Sequence, residues 1–497
     1  MLSEVEKRWR AERLAEIIRW QETSQYQNFI DDRKIRQVLE DNAKPTKRET
    51  LEVIEKAREN SSSGSLLSPK DVAILANTED EELLEAIFET ANWIKRNVYG
   101  NRIVIFAPLY ISSPCVNNCA YCGFRHSNDK VLKKTLSMQE LEAEVRVLIN
   151  QGHKRLITVF GEHPISDVEF ISRTIEKIYD THDKYGEIRR VNINASPLFV
   201  EEYERIKRVG IGTYQVFQET YHQDTYCKLH PQNTLKGQYA WRLFALHRAL
   251  EADIDDVAIG VLFGLYHWRF ELLGLLHHAM SLEEEFGIGP HTMSYPRLYP
   301  ATNTPLTTAS PYIVNDADFA KIVAIIRLMC PYTGSILTAR ERPEVRREVM
   351  RKGGVSQIDA GSRVAVGGYV KMAREHIPDK EQFQINDTRS LDDFVFELCK
   401  DGYLPSFCTA GYREGRTGAN FMPLAKHASV KNFCIANGIL TFKEYLLDYA
   451  SPRTKEIGER LTIPQYLSWL DENVPQLAPK VRANLEMVEQ DQRDLHF

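Results

Sequence analysis

Residues 101–128 read NRIVIFAPLYISSPCVNNCAYCGFRHSN. The apolar, β-rich run Ile103–Leu109 is followed by a loop of Ser, Pro, Asn and Gly that carries three cysteines. A continuous apolar run with no alternation is the pattern of a strand buried on both faces, as in a parallel sheet. Outward from it the pattern repeats. Further short apolar runs lie at Leu156–Phe160, Val191–Asn194, Thr213–Phe217, Val257–Phe263, His291–Tyr295, Ser335–Thr338 and Val355–Asp359. Between them, apolar residues recur at helical spacing over Met138–Asn150, Ser166–Asp183, Glu201–Val209, Gln238–Ala252, Arg269–Phe286, Asp316–Met329 and Arg342–Met350. Ser137 with Glu140 is a capping-box signature for the first of these helices. Eight strands alternating with helices predict an α/β fold, a closed (β/α)8 TIM-type barrel, with a doubly wound open sheet as the alternative. In a barrel the chemistry belongs on the loops after the strands, where the three cysteines lie.

The flanks read differently. Residues 1–100 form a helical N-terminal region; Ser61–Ser65 reads as a flexible break, and Ser68, Pro69 and Asp71 as a helix start. Residues 101–375 form the barrel. Residues 376–497 form a helical C-terminal region, with helices over Ser390–Asp401, Thr441–Asp448 and Ile463–Glu472 and an ordered loop over Gly402–Gly418.

Composition narrows the function. The 497 residues are 43% hydrophobic and 27% charged, an ordinary globular balance. With 63 basic and 69 acidic residues the net charge is −6, which argues against a broad nucleic-acid grip. No run approaches the about 18 apolar residues of a membrane span. The charged start is not a secretory signal, and eight cysteines are too few for a disulfide framework. A cytoplasmic location is expected. No G-x-S-x-G elbow, phosphate-binding G-x-x-x-x-G-K-[ST] loop or H-E-x-x-H helix is present.

Cys115, Cys119 and Cys122 stand at C-x3-C-x2-C spacing. Three thiolates on one short loop can each bind one iron of a cubane cluster, leaving the fourth iron open to an exogenous molecule. The alternatives are a zinc site with His126 as fourth ligand, or three packing cysteines. The spacing and the polar loop favour the cluster.

This motif, with aromatic Tyr121 before the last cysteine, resembles that of the radical S-adenosylmethionine (SAM) enzymes. The likeness extends along the chain through IRRVNINASP (188–197), GIGTYQVFQETYH (210–222), DDVAIGVLFGLYHWRFE (255–271), GPHTMSYPRL (289–298), GVSQIDAGSRVAVGGY (354–369) and PSFCTAGYREGRTG (405–418). Together these segments are similar to the tyrosine lyase family of FeFe-hydrogenase maturation, the HydG family. The shorter thiamine-pathway tyrosine lyase (2-iminoacetate synthase) shares the barrel. The resemblance implies one 4Fe-4S cluster on the three cysteines and SAM chelated at its open iron. It implies an external electron donor of the flavodoxin or ferredoxin kind and a small-molecule substrate, tyrosine or a related amino acid, with neither nucleic acid nor membrane as partner. The reaction implied is scission of the tyrosine Cα–Cβ bond to p-cresol and dehydroglycine (2-iminoacetate).

Other candidates follow from the same likeness. Gly161 and Glu162 resemble the pair that reads the SAM amino group; a carboxylate suits an ammonium, and glycine permits close approach. Gln218 and Glu219 follow the fourth strand, where the family lines its SAM site. Arg340, in LTARE, suits an amino-acid carboxylate as a bidentate partner and is the catalytic candidate. Arg297, Arg363 and the Gly367–Tyr369 segment are further barrel-top candidates. His163, His230, His277, His278 and His291 are expected to be hydrogen-bonded structural residues.

The sequence departs from the family near its end. The family holds a second cluster by C-x2-C-x22-C, and makes CO and cyanide there. Here Cys408 and Cys434 keep the outer positions and Gly411 takes the middle one. Cys399 and His427 are the substitutes considered. Ser281, in HAMSLE, stands where a family histidine is frequent, and Tyr299 where an acidic residue is. The expectation is therefore a lyase without a working second cluster. The alternatives are a complete maturase and, from another class, a metal-bearing scaffold without turnover.

Overall fold

The computed structural model describes residues 2–184, 186–371, 379–415, 417–426 and 430–497. Eight parallel strands form the barrel: β1 (Arg102–Ser112), β2 (Arg155–Phe160), β3 (Arg190–Asn194), β4 (Tyr214–Gln215), β5 (Val257–Gly260), β6 (Thr292–Ser294), β7 (Gly334–Leu337) and β8 (Gln357–Asp359). Each pairs with the next, and β8 returns to β1 with Val104 opposite Gln357, which closes the ring. This is the closed barrel expected, not the open sheet.

The period of two along a strand explains the lining. On β1, Phe106, Pro108 and Tyr110 face the interior. Ile103, Ile105 and Leu109 face the surrounding helices and join the main core. Asn192 and Asn194 of β3 also point inward, so the interior is partly polar and shaped to hold something rather than merely filled.

The helices start where local chemistry dictates. Ser137 and Glu140 cap Met138–Gln151, and Ser68 and Asp71 cap Pro69–Asn77 with Pro69 in the first turn. Only the second half of Ser61–Ser65 is a break. The helix Lys47–Ser63 takes in the first three serines, because Ser61 is fully buried and returns its hydroxyl to the Arg58 carbonyl at 2.7 Å. The helix stops at Gly64, whose φ of 70° is the left-handed cap that glycine supplies. The helical run at 238–252 divides at Phe244 into Tyr239–Leu243 and Ala245–Glu251.

The C-terminal region belongs partly to the sheet. Within the stretch read as a loop, Leu404–Ser406 forms β9, parallel to the start of β1, with Arg102 opposite Leu404 and Val104 opposite Ser406. Short helices Ala410–Arg413 and Gly418–Lys426 follow. The foot of the barrel is thus covered by residues from the chain's last quarter. The expected boundary at 375 lies outside the described residues. At the other end, helix Glu4–Thr23 buries Ile17 with Val116, Leu235 and Trp241, beside the cysteine loop. Among the described residues no helix is long and apolar enough to cross a membrane.

Candidate active site in the barrel mouth

A cavity of about 230 Å3 lies inside the barrel, open toward the strands' C-terminal ends. Cys115, Cys119 and Cys122 all line it. Amide groups point at their sulfurs: Asn117 Nδ2 lies 3.7 Å from Cys115 Sγ, and Phe124 N and Gln382 Nε2 lie 3.4 and 3.5 Å from Cys122 Sγ. Such donors stabilise negative charge on sulfur and tune cluster potentials. Burial, then repulsion from Cys122 and Glu162, pushes Cys115 up to about 11, and burial, against the pull of Lys236, pushes Cys119 up to about 12, so metal binding is what deprotonates them. Among the described residues no three Cys, His, Asp or Glu side chains converge on a single-ion position. Thiols that share a cavity without meeting at a point suit a polynuclear cluster, one corner each, better than one zinc ion. His126, the fourth zinc ligand considered, does not line this cavity.

The second loop is strapped to the first. Gly161 N donates to Ser112 O and Val116 N donates to Glu162 O, both at 2.8 Å. A Cβ on Gly161 would lie 2.1 Å from the Pro114 carbonyl oxygen, so only glycine fits. Glu162 lines the cavity and takes a hydrogen bond from Asn117 Nδ2. Burial raises its carboxyl above the usual range, against that hydrogen bond.

Glu219 has a φ of 72°, a left-handed conformation unusual for a non-glycine residue. Two cations hold its side chain: Lys236 Nζ at 2.6 Å and Arg242 Nη2 at 3.4 Å from Oε1. Burial alone would raise its pKa, but Lys236 and Arg242 outweigh it and keep the carboxyl below the ordinary value. Tyr121 also lines the cavity, and its hydroxyl lies 2.8 Å from His230 Nε2. His230 Nδ1 is 2.8 Å from the Tyr226 carbonyl, which can only accept. The proton therefore sits on Nδ1, and Nε2 accepts from the phenol. Burial, then Lys236, lowers this histidine to about 3 and keeps it neutral.

Arg340 lines the same cavity. Its guanidinium lies 3.4 Å above the centre of the Phe383 ring, with no ion pair or side-chain hydrogen bond among the described residues. Nearby, Tyr110 Oη donates to Gln382 Oε1 at 2.9 Å, which turns the Gln382 amide nitrogen toward Cys122.

Other candidates are placed elsewhere. Arg297 is turned out of the cavity and is spent on Glu341, with both carboxylate oxygens 3.0 Å from Nε, and on the Val314 carbonyl. Gln218 is buried outside the lining, its amide atoms unpartnered among the described residues. Arg363 returns to the Ser362 carbonyl. Gly367 has a φ of 78° in a turn whose Tyr369 and Val370 amides donate to Glu144, so this segment is a clamped turn. His163 pairs with Glu6, and His278 with the Tyr221 hydroxyl. Sequence reasoning missed Asn117, Lys236, Arg242 and Gln382. Only Asn117, inside the cysteine loop, had a positional signal.

A second cavity, of about 90 Å3, lies at the foot of the barrel. Cys408, Gly411 and Cys434 line it, and so does His291. Cys399 is buried in the core instead. His427 lies outside the described residues. Ser281 sits 2.9 Å from His247, in neither cavity, so its identity has no bearing on this one.

Comparisons with known proteins agree with this geometry. The radical SAM superfamily model matches residues 109–272, and the biotin and thiamin synthesis associated domain matches 294–404. A crystal structure of HydG, a maturase of the FeFe-hydrogenase, is 48% identical, covers 95% of this chain and 100% of its own, and superposes with a TM-score of 0.89. The chain belongs to the HydG-type radical SAM lyases. HydG from Carboxydothermus hydrogenoformans is 37% identical over 92% of this chain and 97% of its own, with a TM-score of 0.77. The 2-iminoacetate synthase of Escherichia coli is 28% identical over 69% of this chain and 87% of its own. Membership makes this chain a radical SAM carbon–carbon lyase, whose domain implies a 4Fe-4S cluster and SAM and whose chemistry needs an amino-acid substrate and a reductant. The donor set fits both groups: three thiols in one cavity, with Glu162 and Glu219 beside them.

Proposed function

We propose that this enzyme cleaves the Cα–Cβ bond of tyrosine, or of a closely related amino acid, to p-cresol and dehydroglycine, with a single cluster. The observation that carries the reading is a guanidinium uncommitted among the described residues, Arg340, in the same cavity as the three thiols. When bound, the cluster and SAM supply the reductive cleavage that generates a hydrogen-abstracting radical. The chain's own part is binding and exclusion. Cys115, Cys119 and Cys122 hold the metal. Glu162 and Glu219 are suited to the ammonium and hydroxyl groups of SAM. Arg340 receives the substrate carboxylate in a fork geometry that fixes the amino group's position. Helix Glu4–Thr23 packs beside the cysteine loop, Arg10 Nη1 donating to Val116 O at 3.4 Å, and helps keep water from a reactive radical.

The names of the solved relatives support the maturase class, and those of the curated relatives support 2-iminoacetate formation. A single cluster is favoured because Gly411 offers no ligand to the foot cavity. The retained Cys408 and Cys434 favour the second reading, a complete maturase that also makes CO and cyanide. Anaerobic incubation with tyrosine, SAM and dithionite separates them. About four irons per chain, with p-cresol and 5′-deoxyadenosine but no CO, is the expected result, since one cubane holds four. About eight irons with CO release overturns it. Absence of both organic products from a cluster-loaded sample overturns the lyase assignment for tyrosine.

A further inference from the structure

Among the described residues three carboxylates line the cavity in the barrel mouth: Glu162, Glu219 and Asp359. Glu162 faces Asn117 of the cysteine loop, and Glu219 is answered by Lys236 and Arg242. Asp359 stands on another side of the ring. It ends β8, and Arg340 follows β7, the strand paired with it. Asp359 is 5% exposed. Its Oδ1 accepts from Ala339 N at 2.7 Å, and its Oδ2 from Ser362 Oγ at 2.5 Å. Arg346 lies 3.8 Å from Oδ1 but is held more closely, at 2.5 Å, by Asp387, and it is not part of the lining.

A buried carboxylate is costly unless its charge is answered and its acceptor positions are filled. Such a group offers about four positions, and on Asp359 two are occupied among the described residues. Burial lifts its carboxyl above the usual range, against Arg346 and the two hydrogen bonds. Arg340 is the opposite case, a cation in the same lining. No ion pair joins the two among the described residues. The amide bonded to Asp359 belongs to Ala339, the residue before Arg340, so one hydrogen bond fixes the two charges relative to each other. An α-amino acid at neutral pH carries an ammonium and a carboxylate on one carbon, and it answers both.

We propose that Asp359 binds the ammonium group of the amino-acid substrate, so that Asp359 and Arg340 together select a zwitterion and aim its amino group. This rests on the lyase reading above. It adds the residue that tells an amino acid from the same acid without its nitrogen.

Isothermal titration of the full-length, cluster-loaded enzyme, with SAM present and no reductant, measures binding without turnover. The titrants are tyrosine, desaminotyrosine, which lacks the amino group, and phenylalanine, which lacks the phenol hydroxyl. The parent should bind tyrosine at least about tenfold more tightly than desaminotyrosine, as expected for a charge-assisted pair. Asp359→Asn removes the charge but keeps the size, and its amide can still accept from Ala339 N and donate to Ser362 Oγ. It should weaken tyrosine by at least about tenfold and leave desaminotyrosine and the iron content unmoved. Should Asp359→Asn fail to fold, Asp359→Ser takes its place with the same loss expected. The proposal is overturned if the parent shows no such preference or if the variant keeps it. It is also overturned if tyrosine and desaminotyrosine weaken in parallel, which would make Asp359 only a brace for the Arg340 loop. Loss of the preference over phenylalanine instead would place the phenol at Asp359 and overturn it too. Adding dithionite separates this proposal from the reading beneath it: a parent that discriminates as expected but releases no p-cresol fails as a tyrosine lyase and keeps its ammonium site.

Discussion

Arg340 presents the simplest test of the site. Its guanidinium rests on Phe383 and is promised to no carboxylate among the described residues. Replacing it with lysine keeps the charge but removes the fork. A charge-assisted hydrogen bond contributes about 1.5–3 kcal/mol, so the KM for tyrosine should rise roughly 10- to 100-fold. Iron content should not change, because Arg340 is not a metal ligand. Initial rates of p-cresol release against tyrosine concentration measure this, and an unmoved KM would place the carboxylate elsewhere. The residues legible in the sequence were those with a fixed local signature: the cysteine triplet, Gly161–Glu162, and groups just past a strand. Lys236 and Arg242 were not, since they reach Glu219 from 17 and 23 residues away and look like surface charges. Arg297 and Gln218 share one cause of misplacement. Pro296 and Leu298 face the cavity, as do Phe217 and Glu219, so the residue between each pair faces away.

Elements obey the same local logic. The eight apolar runs all contain strands, but β1, β2 and β3 are longer than their runs and β4, β5, β6 and β8 shorter: Thr213–Phe217 reduces to Tyr214–Gln215. Beyond that short strand single bonds still tie the chain to the next strand, Gln218 N donating to Gly260 O at 3.0 Å and Leu262 N to Glu219 O at 2.9 Å, and Glu219 adopts its left-handed conformation there. β9 was hidden because three residues in a stretch rich in glycine, tyrosine and arginine carry no periodic signal. The junction of the two loops gives the prediction at this scale. Gly161→Ala places a Cβ against the Pro114 carbonyl, a backbone atom that cannot swing aside. The cysteine loop must shift, at a cost of roughly 1–3 kcal/mol. Reduced iron incorporation and a melting temperature lower by a few degrees are expected, read by iron assay and differential scanning fluorimetry. Normal iron loading would mean that the loops are not rigidly joined.

At the level of the molecule, stability carries a pH signature. His153 is fully buried, with both ring nitrogens unpartnered among the described residues. Burial, reinforced by Lys154, lowers it from 6.5 to about 3. Between those values the unfolded chain holds a proton that the folded one does not, so acid favours unfolding. The effect is absent above the unfolded value and grows as pH falls below 6.5. His153→Leu removes it. From pH 7 to pH 5 the variant should gain about 2 kcal/mol of stability relative to the parent, at about 1.4 kcal/mol per pH unit once titration is under way. Urea denaturation of both proteins at the two pH values measures the difference, and parallel behaviour would refute it.

The seam between β1 and β8 also sets a timetable. Val104 waits for Gln357, and Arg102 for Leu404, so the first strand made pairs with β2 along one edge and is the last to complete the other. At about 5–20 residues per second, a nascent chain carries that bare edge for many seconds, and a bare edge recruits other chains. Chains released before residue 357 should aggregate, and full-length yield should rise when chaperones are co-expressed, because they shield the growing polypeptide until its ring can shut.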